Sequence, residues 1–436
     1  MESRLDGAGA RSAILGVAIL TCALLCYQAG RLWISDRDIH SETLEKLTRG
    51  AALEPGNAAA WDALGRFRQL DFNNPDPAGA LEDYQRAVRA DPLSAHYWMN
   101  LASAYEANGD TAKADEAFQQ ARLVYPLSAE VAWNYGNFLL RQSETEKGYS
   151  EIHHAVLQDP KLLTLAISRT WSASRDVHIL LDRVLPADGQ AYLLAMDYFS
   201  SIKQMDAALE VWERLVGLGK PVALDKTFPF FDELIAEDRS QEAQKAWAQA
   251  LSLAGLNGDE PLNHSLIWNG NFAHDFLGGG LGWRWKSPGG LDLTFDTAPQ
   301  GFGVRSVEIV FGGGSNLELY QPLQYVPVEP NRSYRFHAYM RTESISTEMG
   351  MRFWIGDPNH QNAVRAFTDN LTGSHAWTAT DVDVVASPDT RFLSVCLYRQ
   401  GSRLFENKLS GTVWIADVSL VPNEEKPSRS AEEAPR

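Results

Sequence analysis

Four side chains in the C-terminal third are of the types that hold a sugar: Trp354, Tyr339, Arg341 and Arg352. A pyranose presents flat C–H faces that stack on rings and hydroxyls that hydrogen-bond, so aromatics interleaved with guanidiniums suit it. In residues 334–341, Tyr334, Phe336, Ala338 and Met340 alternate with Arg335, His337, Tyr339 and Arg341; further on, Met351, Phe353 and Ile355 alternate with Arg352 and Trp354. Successive strand residues point to opposite faces, so one face is expected to mix donors with rings. The same pattern also describes a solvated outer sheet face, or one docked on the helical half of the chain. Trp283, Trp377 and Trp414 are expected in the core.

Other reactive residue types do not assemble. Glycan cleavage needs two carboxylates about 5 to 9.5 Å apart across a cleft, and Glu308, Glu318, Asp292 and Asp296 show no such pairing, so no enzyme is expected. His153-His154 lack a third ligand at helical spacing. Cys22, Cys26 and Cys396 form no disulfide framework. The net charge of -17, with no stripe of Lys and Arg, excludes a nucleic-acid partner. Asn331-Arg332-Ser333 and Asn370-Leu371-Thr372 are glycosylation triplets of the kind that arise by chance.

The elements that must carry these residues fall into three kinds. Ser12 to Gly30 is a stretch of 19 residues without a charge between Arg11 and Arg31, long enough to cross a hydrocarbon core of about 30 Å as a helix. The reading is an uncleaved anchor over 12–30 behind an N-terminus of 1–11, with a cleaved signal as the other reading; Tyr27-Gln28-Ala29 is a poor cleavage site.

A helical half follows, over 41–254. Proline recurs at Pro92, Pro126 and Pro160, in steps of 34, with Ala87, Ala121 and Ala155 in phase, and Tyr84, Phe118 and Ile152 preceded by Ala80, Ala114 and Gly148. Trp61 and Trp98 lie 37 apart, and the excess falls near Asn73-Asn74-Pro75-Asp76-Pro77, where a longer loop is expected. Small residues where two helices cross, large ones between successive pairs and proline at a helix end describe stacked hairpins, about five to six of them. After a linker at 255–265, eight or so short strands within 266–422 read as a sandwich, and 423–436 as a disordered tail.

The unit Ala95–Ser128, with Trp98, Leu101, Ala102, Tyr105, Ala114, Phe118, Ala121 and Pro126, resembles the tetratricopeptide repeat. That resemblance implies a protein partner in a groove lined by the first helix of each pair, placing Arg66, Met99, Asn100, Trp133 and Asn137 there; a carboxylate-clamp pattern is not met. Trp133 is either an aromatic anchor in that groove or, with the register drifted by one, the occupant of the tryptophan slot that Ala132 otherwise holds. The order Leu266-Ile267-Trp268-Asn269-Gly270-Asn271-Phe272, Gly282-Trp283, Tyr334-Arg335-Phe336-His337-Ala338 and Trp414-Ile415-Ala416-Asp417 resembles jelly-roll carbohydrate-binding modules. In that family a structural calcium is held partly by the acid of the last strand, which implies Asp417, although Ala273 stands where a second acid is common. No other cofactor is expected.

These features describe a multidomain chain: an N-terminal transmembrane helix, an all-α tetratricopeptide solenoid, then an all-β jelly-roll sandwich. The expected role is an envelope scaffold in the inner membrane with its C-terminal domains periplasmic, binding a protein through the repeats and a polysaccharide through the sandwich. By analogy the setting is exopolysaccharide assembly or export. The alternative is a pure protein-interaction module whose sandwich binds no sugar, favoured if the Arg335 to Arg341 face were buried against the helices.

Overall fold

The computed structural model describes residues 8–71, 73–256, 264–287, 289 and 291–423. Most of the expected linker, the whole of the tail beyond 423 and residues 1–7 of the expected N-terminal segment lie outside the described residues. Two compact units divide the chain, 1–186 and 187–436.

In the first unit α1 (Ala8–Ile39) and α2 (Leu44–Leu53) precede three matched pairs: α3 (Ala58–Leu70) with α4 (Pro77–Ala90), α5 (Ala95–Ala107) with α6 (Thr111–Val124), and α7 (Ala129–Arg141) with α8 (Thr145–Gln158). A shorter pair closes it: α9 (Leu163–Ser174), and α10 (Val177–Ile179) running into a wide turn over Leu180–Val184. Four of these helices, α3, α4, α6 and α7, start on side-chain caps the sequence supplies. Asn57, Asp76, Asp110 and Ser128 accept backbone N–H groups of the first turn, and Pro92, Pro126 and Pro160 follow the second-helix ends. The α3–α4 connection spans 71–76 where α5–α6 spans 108–110, and those extra residues are the 37-residue step. Ala87, Ala121 and Ala155 are fully buried at the crossings, and Phe118 packs on Tyr135 and Phe138 with ring centroids 5.4 and 5.1 Å apart. Burying rings between pairs is what one hairpin cannot do alone.

Helix α1 is one helix from the apolar stretch into the array. Its Arg11–Ile39 portion is long and apolar enough to cross a bilayer, a test a signal sequence also passes. Its last turns serve as the first helix of a pair with α2: Ser35 donates to the Gly50 carbonyl at 2.9 Å, and Asp38 meets Arg49 at 2.7 Å.

The second unit opens with two more pairs, α11 (Gly189–Ser201) with α12 (Met205–Gly217) and α13 (Phe228–Ala236) with α14 (Ser240–Leu253). Strands follow: β1 (Leu291–Thr297), β2 (Arg305–Gly312), β3 (Leu319–Pro327), β4 (Ser333–Ile345), β5 (Arg352–Gly356), β6 (Arg365–Phe367), β7 (Gly373–Val385), β8 (Phe392–Arg399) and β9 (Ser410–Pro422). They form antiparallel sheets of order β1-β2-β9-β4-β7 and β3-β8-β5-β6. The interleaving of β2-β9-β4-β7 with β3-β8-β5-β6 is the winding of a jelly roll. Between the sheets lie Phe336, Met340, Phe353, Val395 and Ile415, all fully buried, with Trp283. Trp377 and Trp414, expected in the core, instead stand half-buried on the outer face of the five-stranded sheet, because strand alternation puts Val413 and Ile415 inward.

An aromatic ladder joins the helices of this unit to the sandwich. Trp212 stacks on Phe230, Phe231 meets Trp247 edge-on, and Trp247 meets Trp268, each within 6 Å. Gly280, at φ +60, lies where a Cβ would collide with the Trp247 ring. Arg284 bridges to Asp232 on α13 at 2.6 Å and covers the Tyr325 ring of β3 at 4.9 Å.

Candidate functional site

The four residues expected to share one patch are parted. Tyr339 and Arg341 are on β4 of the five-stranded sheet, Arg352 and Trp354 on β5 of the four-stranded one. Phe336 and Phe353 meet across the core at 4.9 Å, so the outward residues of β4 and β5 emerge on opposite sides of the sandwich. Alternation along each strand was legible; which sheet each strand joins is a long-range property.

On the four-stranded side a cleft of about 340 Å³ forms around Trp354 with Tyr320, Phe367 and Tyr398. Ladder register lines these up. Tyr320 is opposite Tyr398 and Tyr398 opposite Arg352, while in the adjacent row Trp354 lies between Cys396 and Phe367. The Arg352 guanidinium is held over Phe367 at 4.2 Å and Tyr398 at 5.3 Å, leaving its edge as donor. Gly356 makes room for the indole, because a Cβ there would strike the Trp354 ring. Cys396 beneath is fully buried, and desolvation pushes its thiol far up, so it is inert packing.

The polar wall is the loop 357–362. Asp357, with a side chain 1% exposed, accepts from the Thr390 hydroxyl at 2.6 Å and from the N–H groups of Asn359 and His360 at 2.8 Å. Burial raises its pKa, but those donors outweigh burial and hold it below the usual carboxylate range. Asn359 donates to the Ile235 carbonyl and to Asp238, tying the loop to α13. The sequence reading missed Tyr320, Phe367, Tyr398, Asn359 and Gly356. Tyr320 and Tyr398 stand near strand ends, a position without meaning until the strands are paired.

On the opposite sheet Arg341 lies over Trp414 at 4.2 Å and pairs with Glu343 at 2.9 Å, while Tyr339 meets Phe302 and His337 edge-on. Among the described residues the bonds from this unit's helices run to the four-stranded side, as in Arg284–Asp232 and Asn359–Ile235, and the Arg335 side chain stays 51% exposed.

Asp417 sits at a bulge in β9 with φ +51. Burial raises its pKa, with His337 pulling the other way. Calcium takes six to eight oxygens with charged carboxylates among them, and among the described residues no group of three or more His, Cys, Asp or Glu could hold a metal. One carboxylate at Asp417, with Ala273 in place of a second acid, does not make that donor set. His153 and His154 bond instead to the carbonyls of Val184 and Pro126.

Along the first helices of the array, polar side chains connect one pair to the next. Asn100 donates to the buried Asp62 at 2.6 Å and lies 3.1 Å from His96; Asn134 reaches Met99; Arg141 grips Glu106 with two bonds of 2.8 Å. Met99 and Asn100 each take part in these links between pairs, though Met99 is buried at 7% exposure. Asn137 is buried, its amide spent on the Trp133 carbonyl, and Trp133 is half-buried; Arg66 is exposed. Asp62, His96 and Glu106 complete this row.

The tetratricopeptide repeat family model matches residues 69–115 and 103–148. The chain therefore contains tetratricopeptide repeats, a class whose function is protein–protein interaction, followed by an all-β sandwich. Comparison with curated proteins gives no match. Among solved structures, Pseudomonas aeruginosa pilF is 15% identical, covering 53% of this chain and 95% of its own, TM-score 0.29. YrrB, described as a tetratricopeptide protein with an unusual peptide-binding site, is 13% identical over 49% and 94%, TM-score 0.25. A CBM4 structure is 16% identical over 36% and 99%, TM-score 0.26. At TM-scores this low the likenesses add nothing to the fold, which stands on the repeats and the strand order.

Proposed function

We propose that the protein is an envelope scaffold, anchored by residues 12–30, that holds a protein partner along the first helices of its array and a polysaccharide chain in the Trp354 cleft. The observation that carries the sugar reading is the cleft itself: three more rings gathered around Trp354, with Arg352 and a loop of amides at its edge. Rings supply stacking and amides supply hydroxyl partners, the composition a pyranose needs. The protein partner follows from the repeat class, with Asn100, His96, Glu106 and Arg141 as the polar surface it meets. Tyr339 and Arg341 are assigned to a separate outer face and Asp417 to the bulge. A periplasmic location of the array and sandwich, and a place in exopolysaccharide assembly or export, complete the proposal by analogy. The role is one of binding, not catalysis.

Affinity electrophoresis of the extramembrane chain in gels cast with a panel of soluble β-glucans, xylan and acidic exopolysaccharides tests it. Retardation by at least one polymer, abolished by Trp354→Ala and kept by Tyr339→Ala, is expected. Retardation that survives Trp354→Ala and disappears with Tyr339→Ala would move the site to the other sheet. No retardation by any polymer would leave the pure protein-interaction reading in its place.

A further inference from the structure

We propose that one rim of the array lies on the bilayer that α1 enters, with Leu93, Tyr125 and Leu127 set into its headgroup layer. The proposal rests on reading α1 as a membrane anchor.

Helix directions place that rim. α1 and α2 are antiparallel, joined through 40–43 and locked by the Ser35–Gly50 and Asp38–Arg49 contacts. α3 reverses the chain again after 54–57, so α1 runs parallel to α3, and through the repeat to α5 and α7. The N-termini of these first helices point to one side, and the loops 54–57, 91–94 and 125–128 lie on that side too. At a rise of about 1.5 Å per residue, Gly30 stands about 7.5 Å beyond Ser35 toward it, and Leu53 about 4.5 Å beyond Gly50. The apolar stretch of α1 therefore leaves the array at the level of these loops, and residues 11–27 are exposed throughout.

What the loops display fits that position. Leu93 is 82% exposed and Leu127, 34 residues on, is 64% exposed, with Tyr125 at 58%. They are not loose ends. Asp91 accepts the Leu93 N–H at 3.1 Å, and the indole N–H groups of Trp61 and Trp98 bond to the carbonyls of Pro55 and Pro92, both at 2.9 Å. On α1, Tyr27 and Trp33, 65% and 63% exposed, bracket the same level. Aromatic rings with a polar edge gather at membrane interfaces, and short apolar side chains on a rim reach into the acyl boundary. The other rim differs: its loops 108–110 and 142–144 read Asn-Gly-Asp and Gln-Ser-Glu, although Leu44 and Leu70 are exposed at its α1–α2 and α3–α4 turns.

Depth-dependent quenching tests this. The full-length protein carrying Cys22→Ala and Cys26→Ala receives single cysteines by Leu93→Cys, Leu127→Cys, Thr111→Cys, Glu144→Cys or Leu24→Cys. Each is labelled with an environment-sensitive fluorophore and reconstituted in phosphatidylcholine–phosphatidylglycerol vesicles with or without doxyl lipid. Loss of emission with doxyl lipid at positions 93, 127 and 24, and none at 111 and 144, is expected. Quenching at 24 without quenching at 93 and 127 overturns the rim proposal and leaves the anchor. No quenching at 24 removes the anchor and the proposal with it. Labels at 93 and 127 shielded from aqueous iodide yet untouched by doxyl lipid mean that a second copy covers the rim, which also overturns it.

Discussion

Asp357 carries a carboxylate almost closed off from water, and the loop that walls the Trp354 cleft is folded around it. Its pKa is held low in the fold, so it contributes stability that is fully present above the ordinary carboxylate value of about 4 and is lost as pH falls through the lower folded value. Asp357→Asn should cost about 2 to 4 kcal/mol at neutral pH, since charged hydrogen bonds are lost in a buried place. It should also flatten the acid limb of stability against pH, read by urea melts of residues 187–423 in a series of buffers. Asp83 on α4 works with the opposite sign. Burial outweighs Arg68 at 3.0 Å and Arg86 at 3.7 Å and pushes its pKa up to about 6, so the folded state binds the proton more tightly than the unfolded chain. Stability should fall as pH rises from about 4 to about 6, and Asp83→Asn should remove that slope in thermal melts.

At the scale of helices, the α7–α8 crossing is closed by two glycines. A Cβ on Gly136 would lie 2.9 Å from Ile152 Cγ1 and 3.0 Å from the Gly148 carbonyl oxygen, and the latter cannot move without the helix. Gly136→Val should destabilise the array by about 2 to 3 kcal/mol through overpacking, whereas Gly56→Ala, which meets open space, should leave the denaturant midpoint nearly unchanged. The repeat was legible here because it is local: caps, crossing residues and terminating prolines recur within 34 positions, and each acts on neighbours a turn or a hairpin away. Eight strands were legible for the same reason, through alternation. β6, at three residues, was too short to show a period.

Across the whole molecule, the second unit is one structure of helices and sandwich joined by the Trp247–Trp268 ladder. Gly280→Val should force Trp247 out of its place, and with it free the helices from β3. The expected reading is thiol labelling of Cys396, silent in the folded protein, at a lower urea concentration than in the parent. A fragment trimmed to start at Leu266 should melt lower and aggregate more than one starting at Ala187, because Trp268 and Tyr325 lose the cover of α13 and α14. Light scattering during the melt separates the two fragments.

From the sequence alone came the apolar helix, the hairpin period, the inward and outward residues of β4 and β5, and the kind of chemistry Trp354 and Arg352 offer. These follow from spacing along the chain, which sets helix faces and strand faces without reference to anything distant. Only the tertiary structure decided that β4 and β5 lie in different sheets, and so that Tyr339 and Arg341 part from Trp354 and Arg352. It also decided that Tyr320, Phe367 and Tyr398 complete the cleft and that α13 braces the loop that walls it. Jelly-roll pairing joins strands far apart in sequence, and no local period records which strand lies beside which.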